Sequence, residues 1–551
     1  MDEVRIIPLG GLGEIGLNMM VMESGNEAMI IDCGLMFPEP HMPGIDIVIP
    51  DFSYLLNSDK KLAAIVLTHG HEDHIGGLPF FLRHLNAPIY GTSFTLGLVE
   101  NKLEEHDLMG ERKLIEVSAG DVCRAGPFEI KFLRICHSIP DGCALAIDTP
   151  AGLIVHSGDF KFDDAPADSK LADYEGLSAC GDKGVLALLS DSTNVELKGN
   201  TGTEKSLEPN FSALFSEAGK KVFVALFSSN INRVQQIINT AEGSGRKVAL
   251  IGRSLIRNTI IARERGYLKV KEATLIDVKE IKNYSPDKVA VLTTGSQGEP
   301  MSGLSLMTTG NYKQLSIEKG DRVILSSKTI PGNEKLVCNI INHLVRLGAE
   351  VFYDRIAHVH VTGHGQEEDL KKMISLVRPR FFIPIHGEAR HLAKHIKLAK
   401  SMGIEEEKTI FAADGDVITL TGECVKAEGK VPSGRIFVDG KGVGDVKDIV
   451  LRDRMHLSKG GIVMALLAID HASGAVASEP EIFSRGFIDA EEEEQIIGEA
   501  KREVSSYLDE LAVEAKKEWS EVEAEIGRLL KRFFKKKMSR RPVIIPVVLE
   551  M

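Results

Sequence analysis

Four side chains able to ligate a metal, His69, His71, Asp73 and His74, fall within six residues directly after the apolar run 62–68. The apolar run reads as a buried strand, and Gly70 permits the tight turn that lets neighbouring side chains converge on one point. Nitrogen and oxygen donors of this kind suit zinc or manganese. Histidine supplies only 17 of 551 residues, so composition does not account for the cluster. Four adjacent ligands cannot coordinate two ions and also leave a reactive position, so more donors must come from elsewhere. His137 after a strand at 130–136, Asp159 in His156-Ser157-Gly158-Asp159-Phe160, and His386 in Ile385-His386-Gly387-Glu388 are candidates. Each alone also reads as a hydrogen-bonded loop residue.

A chain of 551 residues exceeds one hydrophobic core and reads as three or four domains. Short strands at 4–9, 19–23, 28–32, 62–68, 128–135, 143–148, 152–156 and 185–190, with helices such as 76–85 between them, predict packed sheets with outer helices. From about 203 to 360 the pattern changes. Strands 222–227, 248–251, 289–293 and 322–326 alternate with helical stretches such as 233–242, the rhythm of a parallel sheet. A further strand, 381–385, precedes His386, and the glycine-rich, charged stretch 440–460 reads as a linker. Toward the C-terminus, Val504, Leu508, Leu511, Ala515, Trp519, Val522, Ile526, Leu530 and Phe533 recur at helical steps. They predict one apolar face of a long helix in a small α+β domain. The basic run 531–537 with Arg540 and Arg541 reads as a solvated face, with a nucleic-acid contact as the second reading.

The net charge of −13 does not exclude a polyanionic substrate, because a local basic groove decides that. The seven cysteines are odd in number and form no Cys-x-x-Cys pair, which favours a reducing cytoplasm over a disulfide framework. The N-terminus lacks the apolar stretch of a signal peptide, and no apolar run approaches membrane-helix length, so no membrane role is expected. Gly11, Gly13 and Gly16 fit a dinucleotide fingerprint, but that site needs a helix to follow. Residues 17–22 read as strand, so a hairpin bordering the active site fits better.

The motifs together resemble those of the bacterial ribonuclease J family, of the β-CASP branch of the metallo-β-lactamase superfamily. The resemblance covers essentially the whole chain. It rests on 10–16, 68–74, Ser190-Asp191-Ser192-Thr193-Asn194, 294–300, 330–334, Val361-Thr362-Gly363-His364-Gly365 and 383–388. It implies an α/β chain: an αββα metallo-β-lactamase sandwich over 1–202 and 361–440, split by a β-CASP parallel-sheet domain at 203–360. A linker at 441–460 would lead to a C-terminal α+β domain at 461–551. It implies two zinc ions, with manganese or magnesium as alternatives in activity. His69, His71 and His137 would hold one, Asp73, His74 and His386 the other, and Asp159 would bridge. Asp32 would orient the ligand loop. Asp73, Asp191 and His364 are the catalytic residues it implies, and His360, Val361, Thr362, Gly363 and His364 would line the substrate. A structural calcium is implied at Gly44, Asp46 and Asp439, though three oxygen donors fall short of the usual six to eight. Two departures stand out: Asn232 where histidine is expected, and Thr362 where serine is common.

The implied activity is 5′-to-3′ exonucleolytic and endonucleolytic hydrolysis of single-stranded, 5′-monophosphorylated RNA, in mRNA decay and rRNA maturation, leaving a 5′-phosphate and a 3′-hydroxyl. Ser229, Asn230, Arg233, Arg253, Ser254 and Ser296 offer donors suited to a terminal phosphate, and equally suit turns and helix caps. A homodimer or homotetramer, RNA-degradation partner proteins and a cytoplasmic location complete the expectation. Competing readings are a β-CASP endonuclease of the mRNA 3′-processing type, a small-molecule metallohydrolase, and a scaffold without metals. The inserted domain argues against the second, and the complete ligand set argues against the third.

Overall fold

Strands Met19–Ser24 and Glu27–Ile31 are buried along nearly their whole length because both faces of their sheet are covered. The computed structural model describes residues 3–110, 112–330, 332–440, 442–470, 473, 475–511 and 519–550. Two compact units form, Met1–Met36 with Ile49–Arg435, and Phe37–Val48 with Ile436–Met551.

In the first unit, Glu27–Ile31 and Lys61–Val66 run parallel inside an eight-stranded mixed sheet. A six-stranded sheet holds Phe128–Arg134, Cys143–Thr149, Gly152–His156, Val185–Asp191 and Phe381–Ile385. The inner faces meet, with Ile6, Met29 and Val66 of one sheet in the same core as Phe132, Leu145 and Leu189 of the other. Each such side chain contributes roughly 1.5–3 kcal/mol on burial. Helices Tyr174–Lys183, Glu367–Val377 and Ala389–Ser401 cover the outer face of the six-stranded sheet through Leu177, Met373 and Leu398. Helix Ser93–Glu105 packs on Ile89–Gly91 and Leu114–Glu116 of the larger sheet. This is the expected αββα layering.

The chain leaves the six-stranded sheet after Asp191 and returns on the adjacent strand, with Asp191 in register with Ile385. Between these points lies a separate six-stranded sheet in which every pairing is parallel. Its central strands Val222–Ala225 and Val289–Thr293 are wholly buried, as two covered faces require. The second unit carries the sheet of Ile462–Ile469, Glu481–Arg485 and Val543–Glu550. Its core adds Ala500 and Val504 of one helix and Ile526 and Leu530 of another.

Three local expectations change. Residues 76–85 are not one helix; Glu72–Ile75 and Leu78–Phe81 are separate turns, broken at Gly76-Gly77 and restarted with a proline in the first turn. The stretch read as a linker carries helix Asp448–Gly460; Lys441 lies outside the described residues. Among the described residues the single long helix is replaced by Ala490–Glu510 and Trp519–Met538, the first ending where Leu511 turns extended. Both present apolar residues to one core, so one stripe runs through both; Ala515 lies outside the described residues. As expected, the glycine-rich segment after Glu3–Gly10 leads into a strand, Met19–Ser24, which pairs antiparallel with Glu3–Gly10, and no helix follows.

Candidate metal centre

Strands of the two packed sheets end at one edge, and the candidate ligands sit just beyond those ends. Asp32 follows Glu27–Ile31, Thr68 and His69 follow Lys61–Val66, His137 follows Phe128–Arg134, Asp159 follows Gly152–His156, and His386 follows Phe381–Ile385. Asp32 (φ 60°) and His386 (φ 50°) adopt left-handed backbone, a local strain held by the surrounding structure.

Two donor groups converge. His71 Nδ1 lies 3.1 Å from His69 Nε2 and 3.1 Å from His137 Nε2. Beside them, His386 Nε2 is 3.3 Å from Asp73 Oδ2, and His74 Nε2 is 3.2 Å from Asp159 Oδ2. The same Asp159 oxygen lies 3.8 Å from His69 Nε2, 3.9 Å from His137 Nε2 and 3.5 Å from His386 Nε2. It therefore faces both groups at once.

The remaining ring nitrogens of His69, His74, His137 and His386 are held from behind, which fixes those four rings. Asp32 Oδ2 is 2.7 Å from His74 Nδ1 and also accepts from the Thr68 hydroxyl, while Oδ1 accepts from the Thr68 amide. Thr68 Oγ1 is 3.0 Å from His69 Nδ1. His137 Nδ1 donates to the Gly363 carbonyl at 2.8 Å. A Cβ at Gly363 would meet His137 Cε1 at 2.8 Å, so this close approach requires glycine. Thr193 Oγ1 lies 2.7 Å from His386 Nδ1 and donates to Asp191 Oδ1. Asp191 Oδ2 accepts from His364 Nδ1 at 2.8 Å, leaving His364 Nε2 facing Asp159 at 3.9 Å.

The charge pattern of these donors fits bound cations. Burial drives His71 down to about 4, and His69 and His137 well below the ordinary imidazole range. Neutral imidazole is the ligand form. Burial also opposes charge on Asp73 and Asp159, but neighbouring histidines outweigh it and hold both carboxyls down. His74, His386 and His364 are lowered by burial yet raised overall by the carboxylates around them. Histidines supply the positive charge that holds Asp159 ionised, and a metal pair held by the same donors would supply it equally.

Sequence reasoning missed Thr68, Thr193, Asn194 and Asn18 as supports. Asn18 Nδ2 donates to the Asp73 carbonyl at 3.1 Å. Asn194 Nδ2 donates to Thr362 Oγ1 and to the His364 carbonyl, both at 3.0 Å. Thr362 thus supplies the hydroxyl that serine would. Thr193 and Asn194 follow Asp191 within one motif and Thr68 directly precedes His69, so adjacency was an available signal; Asn18 had none. His360, Val361 and Thr362 line a cleft with Lys328 and His358, and the His360 Nδ1 is buried without a hydrogen-bond partner.

The expected phosphate donors separate. Arg253 and Ser254 are exposed in the first turn of helix Arg253–Glu264, and Ser229 is half-buried. Asn230 caps helix Ile231–Gly243, accepting from the Arg233 amide at 3.0 Å. Arg233 does not reach a phosphate site: it is fully buried, with its guanidinium bonded to Glu204, Gln236, Ser326 and the Val359 carbonyl. The sequence offered its charge but not its direction. Ser296 is likewise buried. Asn232 lines a small cavity with His137, Lys161 and Glu204.

The calcium expectation meets a guanidinium. Arg454 donates to Asp439 and to the Gly44 carbonyl, and Asp46 accepts from the Gly440 amide. One oxygen of each of Asp439, Gly44 and Asp46 is thus engaged by a protein donor, and calcium at these positions stays an expectation of the resemblance.

Family models match in chain order: the metallo-beta-lactamase superfamily at 12–179, the ribonuclease J beta-CASP domain at 219–344, the Zn-dependent metallo-hydrolase RNA specificity domain at 351–412, and the ribonuclease J C-terminal domain at 449–551. Ribonuclease J of Thermus thermophilus is 43% identical over 559 residues, covering 100% of this chain and 96% of its own. Ribonuclease J2 of Bacillus subtilis is 40% identical over 549 residues, covering 100% and 99%. Ribonuclease J of Corynebacterium glutamicum is 40% identical, covering 100% and 76%. A solved structure of a protein of unknown function from Enterococcus faecalis V583 superposes with a TM-score of 0.54 at 16% identity, covering 76% of this chain and 100% of its own, a likeness of fold.

Proposed function

This chain belongs to the ribonuclease J family, a lineage of metal-dependent nucleases, and from that premise we propose that it degrades single-stranded RNA through a two-zinc centre. The proposed action is 5′-to-3′ exonucleolytic on 5′-monophosphorylated ends, with endonucleolytic cleavage in addition. His69, His71 and His137 are proposed to hold one zinc, and Asp73, His74 and His386 the other, with Asp159 between them. The observation that carries this reading is the Asp159 oxygen within 3.9 Å of donors from both groups.

When bound, the metal pair activates water and neutralises charge on the scissile phosphate. The protein's own residues do the rest. Asp32, Thr68, Thr193 and Gly363 hold the rings of His74, His69, His386 and His137 in one orientation. Asp191 binds the Nδ1–H of His364, which directs Nε2 toward the reacting phosphate, where it donates a proton to the departing 3′-oxygen. Asn194 holds the backbone of the same segment, so that residues 360–364 form a fixed wall for the RNA. Arg253, Ser254 and Ser229 remain the proposed contacts to the terminal phosphate; Arg233, Asn230 and Ser296 leave that role. The proposal does not extend to calcium.

No helix among the described residues is long and apolar enough to cross a membrane. A cytoplasmic location and a homodimer or homotetramer are part of the proposal. Light scattering with and without residues 450–551 tests the oligomer. End-labelled RNA tests the activity. Mononucleotides released from a 5′-monophosphorylated end support it, internal cuts alone support an endonuclease, and no RNA cleavage by the zinc-loaded enzyme overturns it.

A further inference from the structure

Four buried charges lie where the chain crosses into the inserted parallel-sheet body and back out of it. Lys161 stands two residues after Asp159, and its backbone amide donates to the Cys136 carbonyl, beside His137. Its ammonium lies 3.1 Å from Glu204 Oε1 and 3.3 Å from Asp163 Oδ2. Asp163 in turn accepts from the Glu204 amide at 2.9 Å. The second Glu204 oxygen takes Arg233 Nη2 at 2.6 Å. Arg233 Nη1 donates to the Val359 carbonyl at 3.1 Å and to the Ser326 hydroxyl, which itself donates to that carbonyl at 2.7 Å. Gln236 closes the ring, accepting from Arg233 Nε and donating to the Glu204 carbonyl.

Glu204 belongs to the outgoing crossing and Val359 to the returning one, five residues ahead of His364. The two cations and two carboxylates cancel, and their side chains are at most 4% exposed. Burial pushes the Glu204 carboxyl up, but Arg233 and Lys161 outweigh it and hold it at about 2. Stability does not explain the network, since apolar residues of similar volume usually do as well or better in such places. A charged network adds direction: each hydrogen bond fixes the position of the group at its far end.

We propose that Glu204 is a positioning residue, which ties both crossings together and, through Arg233 and Ser326, fixes the segment that carries His364 toward the metal centre. The inference rests on the proposed role of His364. Glu204→Gln and the milder Ser326→Ala are the variants, both expected to keep wild-type metal content. In the metal-free proteins, amide exchange over 357–366 should quicken ~10-fold while strand Val289–Thr293 is unchanged. With metal, cleavage at saturating RNA should fall ~10-fold or more with KM within about twofold. Glu204→Met combined with Arg233→Met removes both charges and should regain thermal stability but not rate. Recovery of rate together with stability, or unchanged exchange at 357–366 in both single variants, overturns the inference. A wild-type enzyme inactive on RNA would refute the functional reading instead, and the exchange measurement would still decide this one.

Discussion

His364 Nδ1 lies 2.8 Å from Asp191 Oδ2, and the Asp191 side chain is 1% exposed where that of His364 is 21% exposed. In the proposed mechanism the buried partner orients and the open one meets substrate. Asp191 also reaches His386 through Thr193, so it serves the metal group as well. His364→Ala should lower single-turnover cleavage ~100-fold or more with metal content kept. Asp191→Asn should lower both rate and metal affinity, the latter ~10-fold or more. Metal analysis beside single-turnover rates checks the contrast.

His71 Nδ1 is shared in distance between His69 and His137, so removing it opens one donor group entirely. His71→Ala should abolish RNA cleavage and lower the bound metal. Chelation of the wild type should lower its thermal midpoint, because an ion that binds only the folded chain stabilises it. Retained activity in His71→Ala would contradict the two-metal reading.

Arg233 and Arg253 should behave as opposites. Arg233→Ala leaves Glu204 buried with one cation fewer and should destabilise the protein by ~3–5 kcal/mol, without altering the preference for 5′-monophosphate over 5′-triphosphate RNA. Arg253→Ala, at an exposed helix start, should leave stability within ~0.5 kcal/mol and weaken that preference. Denaturant melts and competition between the two RNAs check both.

Asp414 gives a pH dependence. Burial, and then Glu14, lift its carboxyl from 3.8 to about 7, while its Oδ1 accepts from the Leu12 amide. Between about pH 4 and 7 the folded chain holds a proton that the unfolded chain has released. Stability from this group is therefore complete below pH 4 and is lost as pH rises toward 7. Asp414→Asn keeps an acceptor for Leu12 without the titration. The wild-type thermal midpoint should fall relative to that of the variant between pH 5 and 8; parallel curves would contradict the shift.

The layering and the parallel inserted sheet were legible because burial on one or both faces writes its period into the residues. Strands 128–135 and 289–293 are examples, one alternating at first and one continuously apolar. The helix stripe from Val504 to Phe533 was read correctly as apolar and wrongly as continuous, since two helices facing one core share a stripe. Arg233 was misread for a related reason. A guanidinium suits phosphate and buried carboxylate equally, and only its surroundings distinguish them.

By itself the sequence picked out the candidate ligand loop 69–74, because six adjacent residues carry their geometry in covalent connection. It also determined the donor chemistry of His137, Asp159 and His386. Which of these atoms share a centre was decided by tertiary structure, through the pairing of Val185–Asp191 with Phe381–Ile385 across nearly two hundred intervening residues. The same folding turned Arg233 inward to Glu204 and brought Arg454 onto an oxygen each of Asp439 and Gly44. The physical reason is common to all three. A side chain's chemistry is local, but its direction and the charge it meets depend on which strands and helices pack around it.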